Sequence, residues 1–284
     1  MKKFIITTVL VFMLLTISAI SFLCFEVLSL QRQVNELSKL VYVSTDVEDS
    51  NEMVDDGVLD DVYKVDDVDN IAEEGDIPKV YLTFDDGPSS NTDAILDILD
   101  DYNVKATFFV VGQDTEEYGE AYKRIVDEGH TIGMHSFSHN YSKIYESEQA
   151  FEDDYNKIHD LIFQTTGVDS KYYRFPGGSS NSVSNVSKSA LINYLNSQGV
   201  VYYDWNVASG DATSQAFTSE QLIDNVMKDV VKYKTSVVLL HDASNKGATV
   251  EALPGLIEAL QAQGAMILPI TDETTVIQHV GVVQ

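Results

Sequence analysis

Seven side chains of this sequence have the types that amide hydrolysis needs, and they fall in short runs. Asp85 and Asp86 open an Asp-Asp-Gly-Pro turn, His135 and His139 form a His-x-x-x-His pair, Arg174 precedes Phe175-Pro176-Gly177-Gly178, Asp204 precedes Trp205, and His241 precedes Asp242. Each run alone has an ordinary reading, as a turn, a capping or surface histidine, a surface ion pair or a core histidine. Together the types fit one mechanism. One carboxylate and two imidazoles hold a divalent ion and leave positions open on it. Such an ion makes water acidic and polarises a carbonyl oxygen. A second carboxylate beside it can take the water's proton, and a neighbouring cation keeps that carboxylate ionised and oriented. An acid must protonate the leaving nitrogen, and a histidine paired with an aspartate suits that role near neutral pH. The backbone N–H within Pro176-Gly177-Gly178 can approach a substrate closely and help hold an oxyanion.

The elements that must position these groups alternate from Pro78 onward. Strands are predicted at Val80–Phe84, Ala106–Val111, Thr131–Met134, Lys171–Arg174, Val200–Tyr203, Val237–Leu240 and Ala265–Ile270. Helices are predicted at Asp93–Asp101, Glu116–Asp127, Glu148–Thr165, Val186–Asn196, Ser219–Lys232 and Val250–Gln263. Thr218 or Ser219 can cap one helix, and Gly129, Gly167, Gly199 and Gly264 lie just past the ends of four. Strand–helix alternation implies a parallel sheet, open or closed. In such folds reactive groups gather at the C-terminal ends of strands. Five predicted strands end on the five runs, which brings the seven side chains to one face.

Five ordered motifs carry a specific resemblance: Thr83-Phe84-Asp85-Asp86-Gly87-Pro88, His135-Ser136-Phe137-Ser138-His139, Arg174-Phe175-Pro176-Gly177-Gly178, Asp204-Trp205 and Leu239-Leu240-His241-Asp242. The chain resembles the polysaccharide deacetylase family, which includes peptidoglycan N-acetylglucosamine, chitin and chitooligosaccharide deacetylases. The resemblance runs from Pro78 to about Ile270. It implies a distorted (β/α) barrel of about seven strands, fewer than the eight-stranded type. It also implies Asp85 as general base, and Asp86, His135 and His139 as ligands of one divalent metal ion. Zinc is the first expectation, with cobalt or another divalent ion as alternatives. Arg174 would orient the base, His241 would be the general acid, and Asp204 would tune it. Gly177 would supply the backbone oxyanion donor, where many relatives carry a bulkier residue, and Trp205 and Leu239 would wall the acetyl pocket. His130, His159 and His279 are assigned no role at the metal.

The rest of the chain bears on location. Lys2 and Lys3 precede an uncharged apolar run from Phe4 to about Phe25. About twenty such residues cross a bilayer, and the flanking lysines favour a cytoplasmic N-terminus. Residues 1–25 are therefore expected to be a transmembrane anchor, with a cleaved signal peptide as the alternative. Both place the remainder of the chain outside the cell, membrane-bound or secreted. Val27, Leu30, Val34, Leu37 and Val41 continue a helical stripe, so residues 26–45 read as a helical stalk. Paired acids at 55–56, 60–61, 66–67 and 73–74 mark residues 46–77 as an acidic, disordered linker. Residues 78–284 form the expected catalytic domain. The formal net charge is −27, which disfavours nucleic acid as a partner. The one cysteine, Cys24, allows no intramolecular disulfide and no cysteine metal site, and the Leu23 before it argues against lipidation.

The expected function is hydrolysis of N-acetyl groups on a cell-wall or extracellular polysaccharide, foremost the N-acetylglucosamine of peptidoglycan. Chitin oligomers, exopolysaccharide and xylan esters are alternative substrates. A glycan-binding relative with a decayed site would lack a ligand, the base or the acid, and none is missing. An iron oxygenase on two histidines and a carboxylate has no use for the Asp85–Arg174 pair. No obligate protein partner is indicated.

Overall fold

The structure is a computed structural model, and it describes residues 77–113 and 116–281. The expected anchor, the stalk and all but the last residue of the linker lie outside the described residues, as does Cys24.

Among the described residues there are eight strands: β1 Lys79–Asp85, β2 Thr107–Val111, β3 Thr131–Ser136, β4 Tyr172–Tyr173, β5 Val201–Tyr202, β6 Val207–Ala208, β7 Thr235–His241 and β8 Met266–Ile267. Seven helices alternate with them: α1 Thr92–Asp101, α2 Glu116–Asp127, α3 Tyr141–Ile144, α4 Glu148–Thr166, α5 Lys188–Ser197, α6 Ser219–Val230 and α7 Gly247–Ala262. Every strand pair is parallel. Seven strands run in the order β5-β4-β3-β2-β1-β7-β6, curled as a distorted (β/α) barrel.

β8 pairs only with the first two residues of β1, Lys79 and Val80. β7 already runs along the whole of β1, so β8 occupies the other edge, below the point where β2 joins at Thr83. The predicted strand Ala265–Ile270 is thus a two-residue wedge. β6 has no counterpart among the predicted strands, because two residues carry no readable period. β5 and β6 do not pair with each other. Beside them runs the C-terminal segment, whose Ile277 carbonyl accepts from the Asp204 N–H at 2.8 Å.

Side chains alternate across each strand, and that alternation sorts the core. Val80, Leu82 and Phe84 of β1 join one cluster with Ile95, Leu99 and Leu256 of the covering helices. Tyr81, Phe109, Tyr203, Val237 and Ile270 form a second cluster inside the barrel. Asp85, His135, Arg174 and His241 share the parity of this inner set, so the period of two aims them into the barrel mouth. Both faces of β1, β2, β3 and β7 are covered along nearly their whole length, which is why these strands read as continuous apolar runs.

The helix ends obey local chemistry. Ser147 caps α4 by accepting from Ala150 N, and Gly167 ends it with φ 75°. Thr218 and Gln221 form a reciprocal capping box at α6. Among the described residues no helix is long and apolar enough to cross a membrane.

Candidate active site

β1 and β7 lie side by side with Asp85 and His241 as register partners. Each strand ends there, so the two residues stand together at the barrel mouth. Asp85 is 2% exposed, and one carboxylate oxygen accepts from Arg174 Nη1 at 2.8 Å. Arg174 is wholly buried. Its remaining donors reach Thr83 Oγ1 at 2.6 Å and the carbonyls of Tyr203 and Asp204 at 3.0 Å each, and its guanidinium lies 4.2 Å over the Phe109 ring. Such a fork holds the Asp85 carboxylate in one orientation. Burial pushes the Asp85 carboxyl above its usual range, against the opposing pull of Arg174.

Asp86, His135 and His139 converge beside it, with one ligand atom from each within 4.8 Å of the others. Asp86 Oδ1 lies 3.5 Å from His135 Nε2 and 3.1 Å from His139 Nε2. That oxygen is buried and has no hydrogen-bond partner among the described residues. His135 donates its Nδ1–H to the Arg174 carbonyl at 2.7 Å, which leaves Nε2 as a bare lone pair. Burial drives the pKa of His135 down to about 3, so the ring is neutral. A buried carboxylate oxygen facing two imidazole nitrogens is costly unless a cation sits among them. These three residues fit a divalent ion, as the sequence leads one to expect.

The loop carrying the histidines is organised by Asp154 of α4, which sequence reading missed. Its carboxylate accepts from Ser136 Oγ at 2.6 Å, Phe137 N at 2.8 Å and Ser138 N at 2.9 Å. Ser136 Oγ in turn accepts from His139 N at 2.9 Å. An Asp154→Ala protein is expected to bind zinc at least about 10-fold more weakly, since groups that orient ligands typically contribute 10–100-fold. Isothermal titration of the metal-free protein with zinc checks this.

His241 departs from expectation in its partner. Its Nδ1–H donates to Asp211 Oδ1 at 2.8 Å, and its backbone N–H donates to Asp211 Oδ2, also at 2.8 Å. Thr249 Oγ1 donates to the same carboxylate at 2.9 Å. Burial pulls the His241 pKa down, but the hydrogen bond and charge of Asp211 outweigh it, so the net direction is upward. Asp204, expected to tune His241, is spent elsewhere. Its carboxylate accepts from Ser179 N at 2.8 Å, Ser179 Oγ at 2.5 Å and His279 N at 2.7 Å. It ties the end of β5 to the Gly177–Ser179 loop and the C-terminal segment. The missed signal was Ser209-Gly210-Asp211, directly after the unrecognised β6.

Asp85, Asp86, His135, His139 and His241 line a cavity of about 320 Å³ together with Gly177, Trp205 and Leu239, all three named from the sequence, and Tyr141, Ala212 and Lys246, which were not. Lys246 Nζ donates to the Asp211 carbonyl at 2.8 Å. Asp242 lies behind the cavity, accepting from Ser89 Oγ at 3.0 Å and Thr92 Oγ1 at 2.6 Å. A Cβ on Gly87 would stand 2.3 Å from Asp242 Oδ2, so only glycine lets the Asp85–Pro88 turn pack there. Three other histidines lie outside the Asp86–His135–His139 cluster. His130 is buried and accepts from Ala106 N, His159 meets Asp169, and His279 packs edge-on against Trp205 with centroids 5.0 Å apart.

The Polysaccharide deacetylase family profile matches residues 72–195. The catalytic domain of a peptidoglycan N-acetylglucosamine deacetylase from Eubacterium rectale ATCC 33656 is 43% identical, with a TM-score of 0.67 over 71% of this chain and 92% of that one. The chain belongs to the polysaccharide deacetylase family. Among relatives in this deacetylase family, YheN of Bacillus subtilis strain 168 is 36% identical over 189 residues, or 65% of this chain and 64% of that protein. A peptidoglycan-N-acetylglucosamine deacetylase of Bacillus cereus ATCC 14579 is 31% identical over 188 residues, or 65% of this chain and 66% of that protein. The chain thus spans slightly less than two thirds of each of these two deacetylase-family proteins.

Proposed function

We propose that this chain is a metal-dependent hydrolase that removes N-acetyl groups from a cell-wall or extracellular polysaccharide, most specifically N-acetylglucosamine of peptidoglycan. One observation carries the reading. The unpartnered Asp86 Oδ1 faces two imidazole nitrogens, flanked by the Asp85–Arg174 pair and the His241–Asp211 pair. A divalent ion, zinc first among candidates, would be held by Asp86, His135 and His139. When bound it supplies Lewis acidity, which polarises the acetyl carbonyl and makes water acidic enough to attack at neutral pH.

The chain's own residues do the rest. Asp85 takes a proton from the attacking water as the new C–O bond forms. The Gly177 N–H donates to the acetyl oxygen as it gains charge. His241 gives a proton to the nitrogen as the C–N bond breaks, because an unprotonated amide nitrogen leaves very poorly. The Asp211 carboxylate holds the imidazole by Nδ1, so that Nε2 carries the transferred proton. The products are free acetate and an amino sugar. Trp205 and Leu239 wall the pocket for the methyl group.

The substrate class rests on the names of relatives, two of which are peptidoglycan N-acetylglucosamine deacetylases. Residues 1–25 would hold the enzyme on the outer face of the cytoplasmic membrane, where peptidoglycan is the nearest glycan. The test is acetate release from purified peptidoglycan, chitin oligomers, exopolysaccharide and acetylated xylan, using metal-depleted protein and protein reloaded with zinc. Release from peptidoglycan that needs the metal and proceeds without oxygen is expected. Release only from acetylated xylan would overturn the substrate, and oxygen-dependent turnover would overturn the reaction class.

A further inference from the structure

Tyr141 has no part in the reading of the motifs, yet it stands inside the site. It is the first residue of α3, two positions after His139, and its half-buried ring lines the cavity. The ring packs edge-on against His139, centroids 5.4 Å apart, and against Tyr145 at 6.2 Å. These fix where the hydroxyl points. The hydroxyl makes no hydrogen bond to any described residue. A phenol on a rigid ring, protonated at neutral pH, thus faces the cavity with its donor unspent.

Gly177 explains the space it fills. The residue has φ 74°, and a Cβ built on it would lie 3.3 Å from both Tyr141 Oη and Tyr141 Cε2. A larger side chain at 177 would therefore press on the Tyr141 ring and its hydroxyl. The Gly177 N–H likewise has no partner among the described residues. Two unspent donors, one backbone and one phenolic, stand together on the wall beside His139. Asp85 and His241 occupy the β1–β7 side.

We propose that the Tyr141 hydroxyl donates a hydrogen bond to the acetyl oxygen as negative charge develops there, forming a two-donor oxyanion site with the Gly177 N–H. The phenol keeps its proton throughout, and no bond to it is made or broken. The chemistry it recognises is an acetyl carbonyl, whatever the sugar. The inference rests on the deacetylase reading.

The test is Tyr141→Phe, which keeps the ring and removes the donor, assayed on the best glycan and on 4-nitrophenyl acetate. The expected result is a fall in kcat of about 10²-fold on both substrates with KM little changed, since loss of one oxyanion donor typically costs 10²–10³ in kcat. Unchanged kcat would overturn the proposal. So would a rise in KM confined to the glycan, which would put the hydroxyl on a sugar group. Should the variant lose its cooperative melting, 3-fluorotyrosine at 141 replaces it as the test, because it keeps the packing and makes the phenol a stronger donor. A changed kcat then supports the proposal, and an unchanged one overturns it. Wild-type protein that releases acetate from nothing sinks the deacetylase reading. Wild-type turnover matched by Tyr141→Phe sinks this inference alone.

Discussion

An Asp85→Asn protein is expected to bind zinc as tightly as the wild type and to release acetate about 10²–10⁴ times more slowly. The substitution is nearly isosteric, and its amide oxygen can still accept from Arg174 Nη1, which lies 2.8 Å from Asp85 Oδ1. It cannot take a proton from water. Asp86→Asn should behave differently. Asp86 Oδ1 is the anionic member of the ligand set, so its loss should appear first as weak metal binding. Calorimetric zinc titration beside acetate release separates the two outcomes. Near-normal turnover by metal-loaded Asp85→Asn would remove Asp85 from the role of base. The pH profile should agree. Burial raises the Asp85 pKa, and the base must be ionised to act. Activity should therefore rise as pH rises through the Asp85 pKa.

The second large effect falls on Asp211. Asp211→Asn should cut turnover of amide substrates by about 10²–10⁴-fold, because the general acid loses both its orientation and its proton affinity. The site sets the sign. The His241 pKa is lowered by burial and raised by the Asp211 hydrogen bond and charge, with a net rise. The acid must be protonated to act, so activity falls as pH rises through that pKa. Removing the Asp211 charge lets burial act with less opposition, and the basic limb should move to lower pH. Activated aryl acetates, whose leaving groups need little protonation, should be affected much less, as should be true for His241→Ala. Asp204→Ala provides the contrast. It leaves the buried N–H and hydroxyl of Ser179 and the part-buried N–H of His279 without their acceptor, at about 1–3 kcal/mol for each buried group. The melting temperature should drop while the basic limb stays in place. A basic limb that moved with Asp204 and stayed with Asp211 would reverse the assignment.

Residue types and order alone determined the family, the alternation of strands and helices, and the face on which the chemistry gathers. The reason is local. Period-two patterning states which side of a strand a residue occupies, and the end of an apolar run states which end of the barrel it reaches. Asp85, His135, Arg174 and His241 were legible in that way, and Asp86 and His139 from their places in the motifs beside them. Partners across the sheet were legible only where the motif resemblance supplied them, as it did for Arg174 and Asp85. Arg174 and Asp85 are 89 positions apart in sequence and meet at 2.8 Å, because β4 and β1 are brought to one barrel mouth by the sheet order. His241 meets Asp211 rather than Asp204 because β6, only two residues long, pairs with β7 and places the loop after it beside His241. Asp154 reaches the histidine loop from the middle of a helix, and Tyr141 reaches the cavity from a four-residue helix. Neither position differs in local sequence from an ordinary helical residue. Their roles exist only in the packing of α4 and α3 against the barrel mouth, and tertiary structure alone decided them.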